Sequence, residues 1–274
     1  MLRPPPELSS PYEVTDERRQ ELRDKGHTLL RGVLSAEEVD AWAPVIREVA
    51  RGITPENRRS AHQDAMLAKA FLQLQNLWRA DQRMRAFSLA TRFGQVAADL
   101  LGVDAVRMYH DQAIFKEPGG APTPFHQDQY YFPLDGDEII TMWMPLVPVT
   151  AEMGSLVYGT GTHRLGHLGE FEASEESERV FRQVMADKGI ELETHGAMEP
   201  GDATFHTAWT LHGAPENTTD AMREVMTIIW FADGLRGIEP QHEWHEKDYA
   251  KWMPDVKPGT PAAGKFNPLV WRRS

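Results

Sequence analysis

A histidine and an aspartate separated by one residue form the most informative polar pair in the chain. His126 and Asp128 stand between a proline-rich segment at 121–124 and an aromatic segment at 130–132. On an extended strand, side chains two residues apart project from the same face, so an imidazole and a carboxylate could meet one metal ion there. Because histidine and aspartate are also common in surface turns, this pair alone is weak evidence for a metal site.

A second imidazole further along the chain would complete a set of three metal ligands. His212 lies at the end of an apolar and aromatic stretch that starts at Gly201-Asp202, and His206 lies six residues before it. Either histidine could join the first pair. Two histidines and one carboxylate leave open coordination positions, an arrangement typical of non-heme Fe(II) oxygenases and unlike the closed shell of structural zinc.

A single arginine follows this histidine at a spacing that suggests anion binding. Arg223 stands eleven positions after His212, at the start of a β-rich run over 225–231. In a hairpin, this register brings the guanidinium to the same interior as the metal candidates, where it could hold a dicarboxylate through two parallel hydrogen bonds. The alternative is an ordinary ion pair with Glu224 or Glu216. Given the metal motif, we favour dicarboxylate binding.

Taken together, these residues resemble a known family, the phytanoyl-CoA dioxygenase-like (PhyH) branch of the Fe(II)/2-oxoglutarate-dependent oxygenases. The resemblance covers most of the chain and includes the opening segment 25–39. Its motifs stand in this sequence as His126-Gln-Asp128, Gly154-Ser-Leu-Val, Gly161-Thr-His163, Gly201-Asp202, His212-Gly213 and Arg223. The resemblance implies a mainly β protein with N-terminal helices and a double-stranded β-helix core, also called a jelly roll or cupin-like fold.

The resemblance also implies the ligands, the cofactor and the cosubstrates. His126, Asp128 and His212 would bind Fe(II), and His206 would then be a core residue or a neighbour of the ligands. Arg223 would hold the distal carboxylate of 2-oxoglutarate, and O2 would be the other cosubstrate. These implied roles make the protein an enzyme.

The resemblance also concerns the residues of the cosubstrate pocket, where this chain differs from relatives at one position. The resemblance implies that Trp143 lines this pocket. Relatives often carry serine two places after the distal histidine, whereas this chain has Ala214. Arg223 would therefore do more of the carboxylate binding, or part of it would pass to Thr141 or another strand residue.

The expected reaction is oxidation of a C–H bond in a small organic molecule, with hydroxylation as the default outcome. Aromatic and methionine side chains near the motifs favour an apolar or aromatic substrate, and no Lys/Arg cluster beside the motifs suits the phosphates of CoA. A tailoring step in secondary metabolism is the expected setting. Ring closure, epimerisation and desaturation use the same residues, and a jelly-roll protein that binds metal without turnover is the alternative from another class.

The elements that must position these residues change character near Gly102. We predict helices over 15–25, 35–52, 64–78 and 81–102. Short β-rich runs then indicate antiparallel strands at 103–116, 139–149, 154–158, 203–206 and 225–231. We expect one oxygenase domain over 1–274, with a helical layer over 1–102, a core over 103–234 and an extension over 235–274. A lid-like insertion over 165–200 would carry one amphipathic helix within 170–193.

Composition restricts the partners. The 274 residues include 41 acidic and 29 basic side chains, a net charge of -12 and no cysteine. The absence of cysteine excludes disulfides, zinc ribbons and thiol nucleophiles, and the negative charge disfavours nucleic acid and anionic membranes. No segment approaches the roughly 18 apolar residues that cross a bilayer. We expect a cytoplasmic protein whose partner is a small-molecule substrate; the sequence carries no signal for its oligomeric state.

Other histidine pairs have simpler interpretations. His110 and Asp111 are adjacent, so a strand would point them to opposite faces, and we interpret them as structural. His242 and His245 are three residues apart, whereas the ligand histidines of a zinc protease helix are four apart. We interpret this second pair as part of the tail or a contact of the lid.

Overall fold

The computed structural model describes residues 4–52 and 72–274. The N-terminal helices begin and end as their capping residues predict. Helix α1 (Asp16–Lys25) is capped by the Thr15 hydroxyl, which accepts from the Arg18 amide, and it ends at Gly26 with φ 83°. Helix α2 (Ala36–Gly52) follows the capping box formed by Ser35 and Glu38, whose side chains accept from each other's backbone amides. Its buried face packs into the core.

Of the helix predicted over 64–78, residues 64–71 lie outside the described residues, 72–75 form a strand instead, and 77–78 are helical as predicted. The strand is β2 (Leu72–Gln75), and the short helix α3 (Leu77–Ala80) begins only after it. The sequence Leu-Gln-Leu-Gln alternates with period two, the period of a strand with two unlike faces. Pairing with the neighbouring strand therefore prevails over helix propensity here.

The helix predicted over 81–102 is two helices. Asp81 caps the first as expected, accepting from the amide of Arg83 at 2.7 Å. Helix α4 (Gln82–Ser88) stops at Leu89, and helix α5 (Thr91–Leu101) continues to Gly102, which has φ 73°. The apolar side chains of both helices face the same core, so their combined pattern is similar to that of one helix.

The strands form two antiparallel sheets; β1 and β2 precede Gly102, and the others follow it, where antiparallel strands were predicted. Their bounds are β1 (His27–Leu30), β3 (Ala105–Lys116), β4 (Thr123–His126), β5 (Ile139–Pro145), β6 (Val157–Gly159), β7 (Leu192–Glu193), β8 (Ala203–Thr207), β9 (His212–Ala214), β10 (Arg223–Ala232) and β11 (Leu269–Arg272). The larger sheet has the order β1-β8-β5-β10-β3-β11, with β2 also paired to β3, and the smaller has the order β4-β9-β6-β7. The sheet-plus-helix class predicted from the sequence is thus confirmed.

The larger sheet has two different faces. Its outer face carries large apolar residues such as Met142, Phe205 and Trp230, which pack with the N-terminal helices in one cluster. Its inner face looks toward the smaller sheet, where Trp143 and Val225 pack with Tyr158. The space between the two sheets also contains the polar residues that line a cavity.

Two further helices lie at the edges of this sandwich. The insertion forms helix α6 (Glu175–Asp187), as predicted; its Ser177 hydroxyl donates to the Phe125 carbonyl, and Phe181 packs beside the Phe125 ring. The C-terminal extension forms helix α7 (Glu243–Trp252) before β11. Across the described residues, none of the helices has both the length and the apolar composition that a membrane span requires.

Candidate metal and cosubstrate site

Three side chains that the sequence singles out converge at one end of the cavity. His126 is the last residue of β4, and it pairs in register with His212, the first residue of β9. Asp128 begins the single 3-10 turn that follows β4. One ligand atom from each of the three residues lies within 4.8 Å of the other two. The antiparallel pairing therefore brings together residues that are 86 positions apart in the chain.

Backbone carbonyls fix the orientation of both imidazoles. The Nδ1 of His126 is 2.8 Å from the carbonyl of Pro124, and the Nδ1 of His212 is 3.0 Å from the carbonyl of Thr210. A carbonyl can only accept, so each Nδ1 carries the proton and each Nε2 keeps its lone pair. Burial lowers the pKa of His212 to about 4, so this ring is neutral near pH 7 and able to bind a cation.

Asp128 lies between the two imidazoles. Its Oδ1 is 3.6 Å from His126 Nε2 and 3.8 Å from His212 Nε2. Its Oδ2 accepts a 2.9 Å hydrogen bond from the Thr141 hydroxyl and lies 3.4 Å from His206 Nε2. Burial alone would raise the pKa of Asp128, but the surrounding histidines lower it well below its ordinary value. The carboxylate is therefore ionised, with one oxygen facing both Nε2 atoms.

Arg223 lies on the inner face of the larger sheet and lines the same cavity. It is 2% exposed, donates from Nη1 to the Gly154 carbonyl, and its guanidinium carbon is 5.3 Å from the centre of the Trp143 ring. Burial lowers the pKa of Arg223 to about 9, which still leaves it charged near pH 7. Glu224 pairs instead with Arg47 at 2.5 Å, so the ion pair considered as an alternative is not formed.

A second buried cation lies beside Arg223 and was not anticipated from the sequence. Lys116 pairs with Arg223 in register across β3 and β10, and its Nζ donates to the carbonyls of Ala121 at 2.9 Å and Pro215 at 2.8 Å. Within 4–52 and 72–274, neither cation forms a salt bridge. Burial and the charge of Arg223 lower the pKa of Lys116 to about 7. Of these two residues only Arg223 lines the cavity, and a buried guanidinium without a carboxylate partner favours an anion there.

The structure brings the predicted site residues together around one cavity. It is lined by His126, Asp128, His212, Arg223, Trp143 and Thr141. The Thr141 hydroxyl is directed to Asp128 rather than to Arg223, while its expected contact with the cosubstrate stays a prediction. His206 approaches the other carboxylate oxygen of Asp128, Oδ2, and its ring lies 4.2 Å from that of His212, which fits its interpretation as a neighbour of the ligands.

The remaining histidine pairs lie apart from this group. Asp111 accepts from the Trp78 amide at 2.9 Å and the Ser88 hydroxyl at 2.7 Å, whereas His110 lines the cavity on the other face of β3. The opposite orientation predicted for these neighbours is confirmed. His242 and His245 stack on each other at a ring distance of 3.9 Å and are not part of the three-residue metal group.

The side of the cavity away from the metal candidates was not predicted. It is lined by Gln73 and Gln75 from β2, by Gln112 from β3 and by residues of α7 such as Trp252. The alternation of glutamine and leucine in β2 was the signal that could have located the first two. The sequence of helix α7 carries no comparable signal, because the helix is only weakly amphipathic. Its contacts with the cavity result from tertiary packing, which a local pattern does not show. Ala173 of the insertion lines the cavity. The lid role of 165–200 stays a prediction.

Comparison with known families identifies the chain. The model of the phytanoyl-CoA dioxygenase (PhyH) family matches residues 22–225, which contain all three metal candidates and Arg223. The chain belongs to the phytanoyl-CoA dioxygenase family. The family prediction made from the sequence is confirmed.

Relatives of this PhyH protein include proteins named as a hydroxylase and as a dioxygenase. It is 27% identical over 266 residues to the 1-deoxypentalenic acid 11-beta-hydroxylase of Streptomyces arenae, covering 88% of this chain and 91% of that one. It is 23% identical over 226 residues to a Stutzerimonas stutzeri protein named "Probable alpha-ketoglutarate-dependent hypophosphite dioxygenase", covering 79% of this chain and 78% of that one.

Solved structures share the fold of this PhyH protein. The alpha ketoglutarate dependent carbocyclase SnoK from nogalamycin biosynthesis is similar with a TM-score of 0.77 and 22% identity, over 96% of this chain and 100% of that one. The epimerase SnoN, in complex with Fe3+, alpha ketoglutarate and nogalamycin RO, is similar with a TM-score of 0.74 and 22% identity, over 93% and 98%.

Proposed function

We propose that this protein is a non-heme Fe(II)/2-oxoglutarate-dependent oxygenase that oxidises a C–H bond of a small organic molecule. One observation carries the proposal: two imidazole Nε2 atoms and one carboxylate oxygen meet at a cavity that also contains a buried guanidinium. This is the facial donor set that non-heme iron enzymes use. Membership of the PhyH family supports the same reaction class.

The donor set fits Fe(II) in charge and geometry. His126 and His212 would each give a neutral Nε2, and Asp128 would give a carboxylate oxygen, which leaves room for a cosubstrate on the cavity side. Three protein ligands that face a cavity are also unlike the closed shell of a structural zinc site. The distal carboxylate of 2-oxoglutarate would pair with Arg223, because this guanidinium is buried without an acidic partner among the described residues.

The residues of the chain orient and shield these groups. When bound, Fe(II), 2-oxoglutarate and O2 supply the oxidation of a C–H bond, with 2-oxoglutarate converted to succinate and CO2. The carbonyls of Pro124 and Thr210 hold the two imidazoles in one tautomer, and Thr141 fixes the carboxylate of Asp128. Trp143 packs against the guanidinium and excludes water from the pocket that we assign to 2-oxoglutarate.

Several finer assignments accompany this function. We infer that the two facing sheets form the double-stranded β-helix implied by the sequence, because the structures similar to this chain are Fe/2-oxoglutarate enzymes. The division into a helical layer over 1–102, a core over 103–234 and an extension over 235–274 is part of the same inference. The cytoplasmic location and the single-domain organisation stay predictions from the sequence.

The expected outcome is hydroxylation in a tailoring step of secondary metabolism. A hydroxylase, a carbocyclase and an epimerase are all similar to this chain, so ring closure or epimerisation is the second candidate outcome. All of these use the same iron ligands. They differ in where the substrate radical lies relative to the oxidant, which depends on the substrate side of the cavity.

Succinate formation and metal binding test the proposal together. Purified protein with Fe(II), 2-oxoglutarate and O2 should produce succinate above the level of His126→Ala, and dialysis should show one tightly bound Fe(II) only in the unmodified protein. His167→Ala is the matched control, because this histidine is half exposed and lies outside the metal group. Equal iron binding by the protein and by His126→Ala would contradict the ligand set, and equal succinate formation would contradict the reaction class.

A further inference from the structure

The substrate side of the cavity has a polar end. On the inner face of the larger sheet, Trp143, Thr227, Gln112 and Gln75 stand opposite one another on β5, β10, β3 and β2. Neighbouring strands are about 4.8 Å apart, so Gln112 lies roughly 10 Å across the sheet from β5. The Thr141 hydroxyl that holds Asp128 is also on β5. The row therefore leads away from the metal ligands toward the two glutamines.

Hydrogen bonds fix which amide atoms these glutamines present. The Oε1 of Gln75 accepts from the Nζ of Lys251, and the Oε1 of Gln112 accepts from the Nε2 of Gln73. A lysine ammonium can only donate, so the amide of Gln75 has a defined orientation. The acceptor atoms are thus engaged by protein donors, and the Nε2–H groups are what Gln75 and Gln112 offer to the cavity.

The surroundings of these amides are aromatic and contain charged groups of both signs. Helix α7 contributes Trp252, whose ring stacks on His110 at 4.2 Å and 29°, and Lys251, whose Nζ is 4.8 Å from the Trp252 ring. Asp248 also lines the cavity, and its carboxylate accepts from the Tyr109 hydroxyl at 2.6 Å. This end of the cavity therefore combines flat apolar walls with the two amide Nε2–H donors, which bind oxygen acceptors.

We propose that Gln75, Gln112 and Lys251 form an acceptor-binding subsite for the substrate. The subsite binds a carbonyl or carboxylate oxygen of a flat, ring-containing molecule, whose other end extends past β5, about 10 Å from Gln112, toward the metal ligands. This inference rests on the proposed function and refines its substrate class from apolar or aromatic to ring systems with an oxygen acceptor at one end. A wholly apolar ring would cover the two amides without satisfying their donors, at an energetic cost.

Two probes of matched shape test the subsite without turnover. 2-Acetylnaphthalene and 2-ethylnaphthalene differ in a carbonyl oxygen, and equilibrium dialysis of the metal-free protein gives both dissociation constants. One net hydrogen bond corresponds to a preference of about three- to tenfold for the acetyl compound. Gln112→Glu keeps the Oε1 acceptor for Gln73 and replaces the donor nitrogen by an oxygen, so it should reduce the preference to one or below. Gln75→Glu should do the same and keeps the contact with Lys251.

Controls separate this subsite from folding and from the iron chemistry. Gln82→Glu places the same charge change on the exposed start of α4 and should keep the preference. A melting curve shows whether each variant folds. If one of the two glutamine variants does not fold, the probe preference of the other tests the subsite. Equal binding of the two probes by the unmodified protein, binding of neither probe, or an unchanged preference in a folded variant would overturn the subsite. None of these outcomes involves iron or succinate, so the proposed function is tested independently.

Discussion

Removal of the guanidinium of Arg223 should chiefly weaken 2-oxoglutarate binding. Arg223 is buried, lines the cavity and has no acidic partner among the described residues, so a cosubstrate carboxylate would be its charged partner. Loss of a charge-assisted hydrogen-bonded pair costs roughly 1.5–3 kcal/mol. That range corresponds to about a ten- to 150-fold weaker dissociation constant. Removing Arg223 also removes a charge that lowers the pKa of Lys116, so Lys116 gains positive charge nearby and we expect Arg223→Ala to fall in the lower half of the range.

Calorimetric titration of 2-oxoglutarate into Fe(II)-loaded protein under anaerobic conditions measures this effect. Arg223→Lys should be intermediate, since it keeps the charge but loses the planar fork that binds a carboxylate through two bonds. Arg47→Ala is the matched control, because it removes an arginine that pairs with Glu224 on the opposite face of β10. Iron affinity should be unchanged in all three variants. An unchanged dissociation constant in Arg223→Ala would refute the assignment of this residue to the cosubstrate.

Three further predictions concern the ligands, a buried cation and the insertion. Asp128→Ala should abolish succinate formation by weakening iron binding, as dialysis would show, and unchanged turnover would remove Asp128 from the ligand set. Burial lowers the pKa of Lys116 from 10.5 to about 7 in the folded protein. Between these two pH values the unfolded chain binds more protons than the folded one, so the free energy of unfolding rises with pH. Lys116→Met should flatten this rise in denaturant titrations, and an unchanged slope would contradict the lowered pKa. Ser174→Ala removes the N-cap hydroxyl of α6, which accepts from the Ser177 amide, and should lower the free energy of unfolding by about 1–2 kcal/mol in the same assay; no loss would contradict the capping role.

On the metal side of the cavity, local geometry predicted the pair of His126 and Asp128, whereas the choice of His212 over His206 came from the resemblance to the PhyH family. His126 and Asp128 are two positions apart next to a strand end, and His212 begins a strand that pairs with the strand of His126. Asp128 itself lies in a 3-10 turn rather than on an extended strand, so the assumed strand geometry is only approximate. The carboxylate nevertheless faces both imidazoles, since the turn redirects the chain immediately after β4.

In the N-terminal helical layer, the periodicity of apolar residues does not locate every helix boundary. Capping residues located α1, α2 and the start of α4 correctly, because each cap is a local hydrogen bond. The break after Ser88 has no such local signal, since the apolar residues on both sides of it face the same core. Strand β2 was missed for a different reason: its four residues are shorter than the window in which a helical pattern is recognised.

The two sides of the cavity therefore have different origins in the sequence. The residues proposed to bind the cofactor and cosubstrate come from β4, the turn that follows it, β9 and β10, and each belongs to a motif that the sequence shows. The substrate side is completed by β2 and α7, which are more than 160 residues apart and meet through the contact of Gln75 with Lys251. Substitutions in these two elements can change substrate recognition while leaving the iron site intact. Reaction class is thus readable from motifs in this protein, whereas substrate class depends on tertiary packing that only the structure reveals.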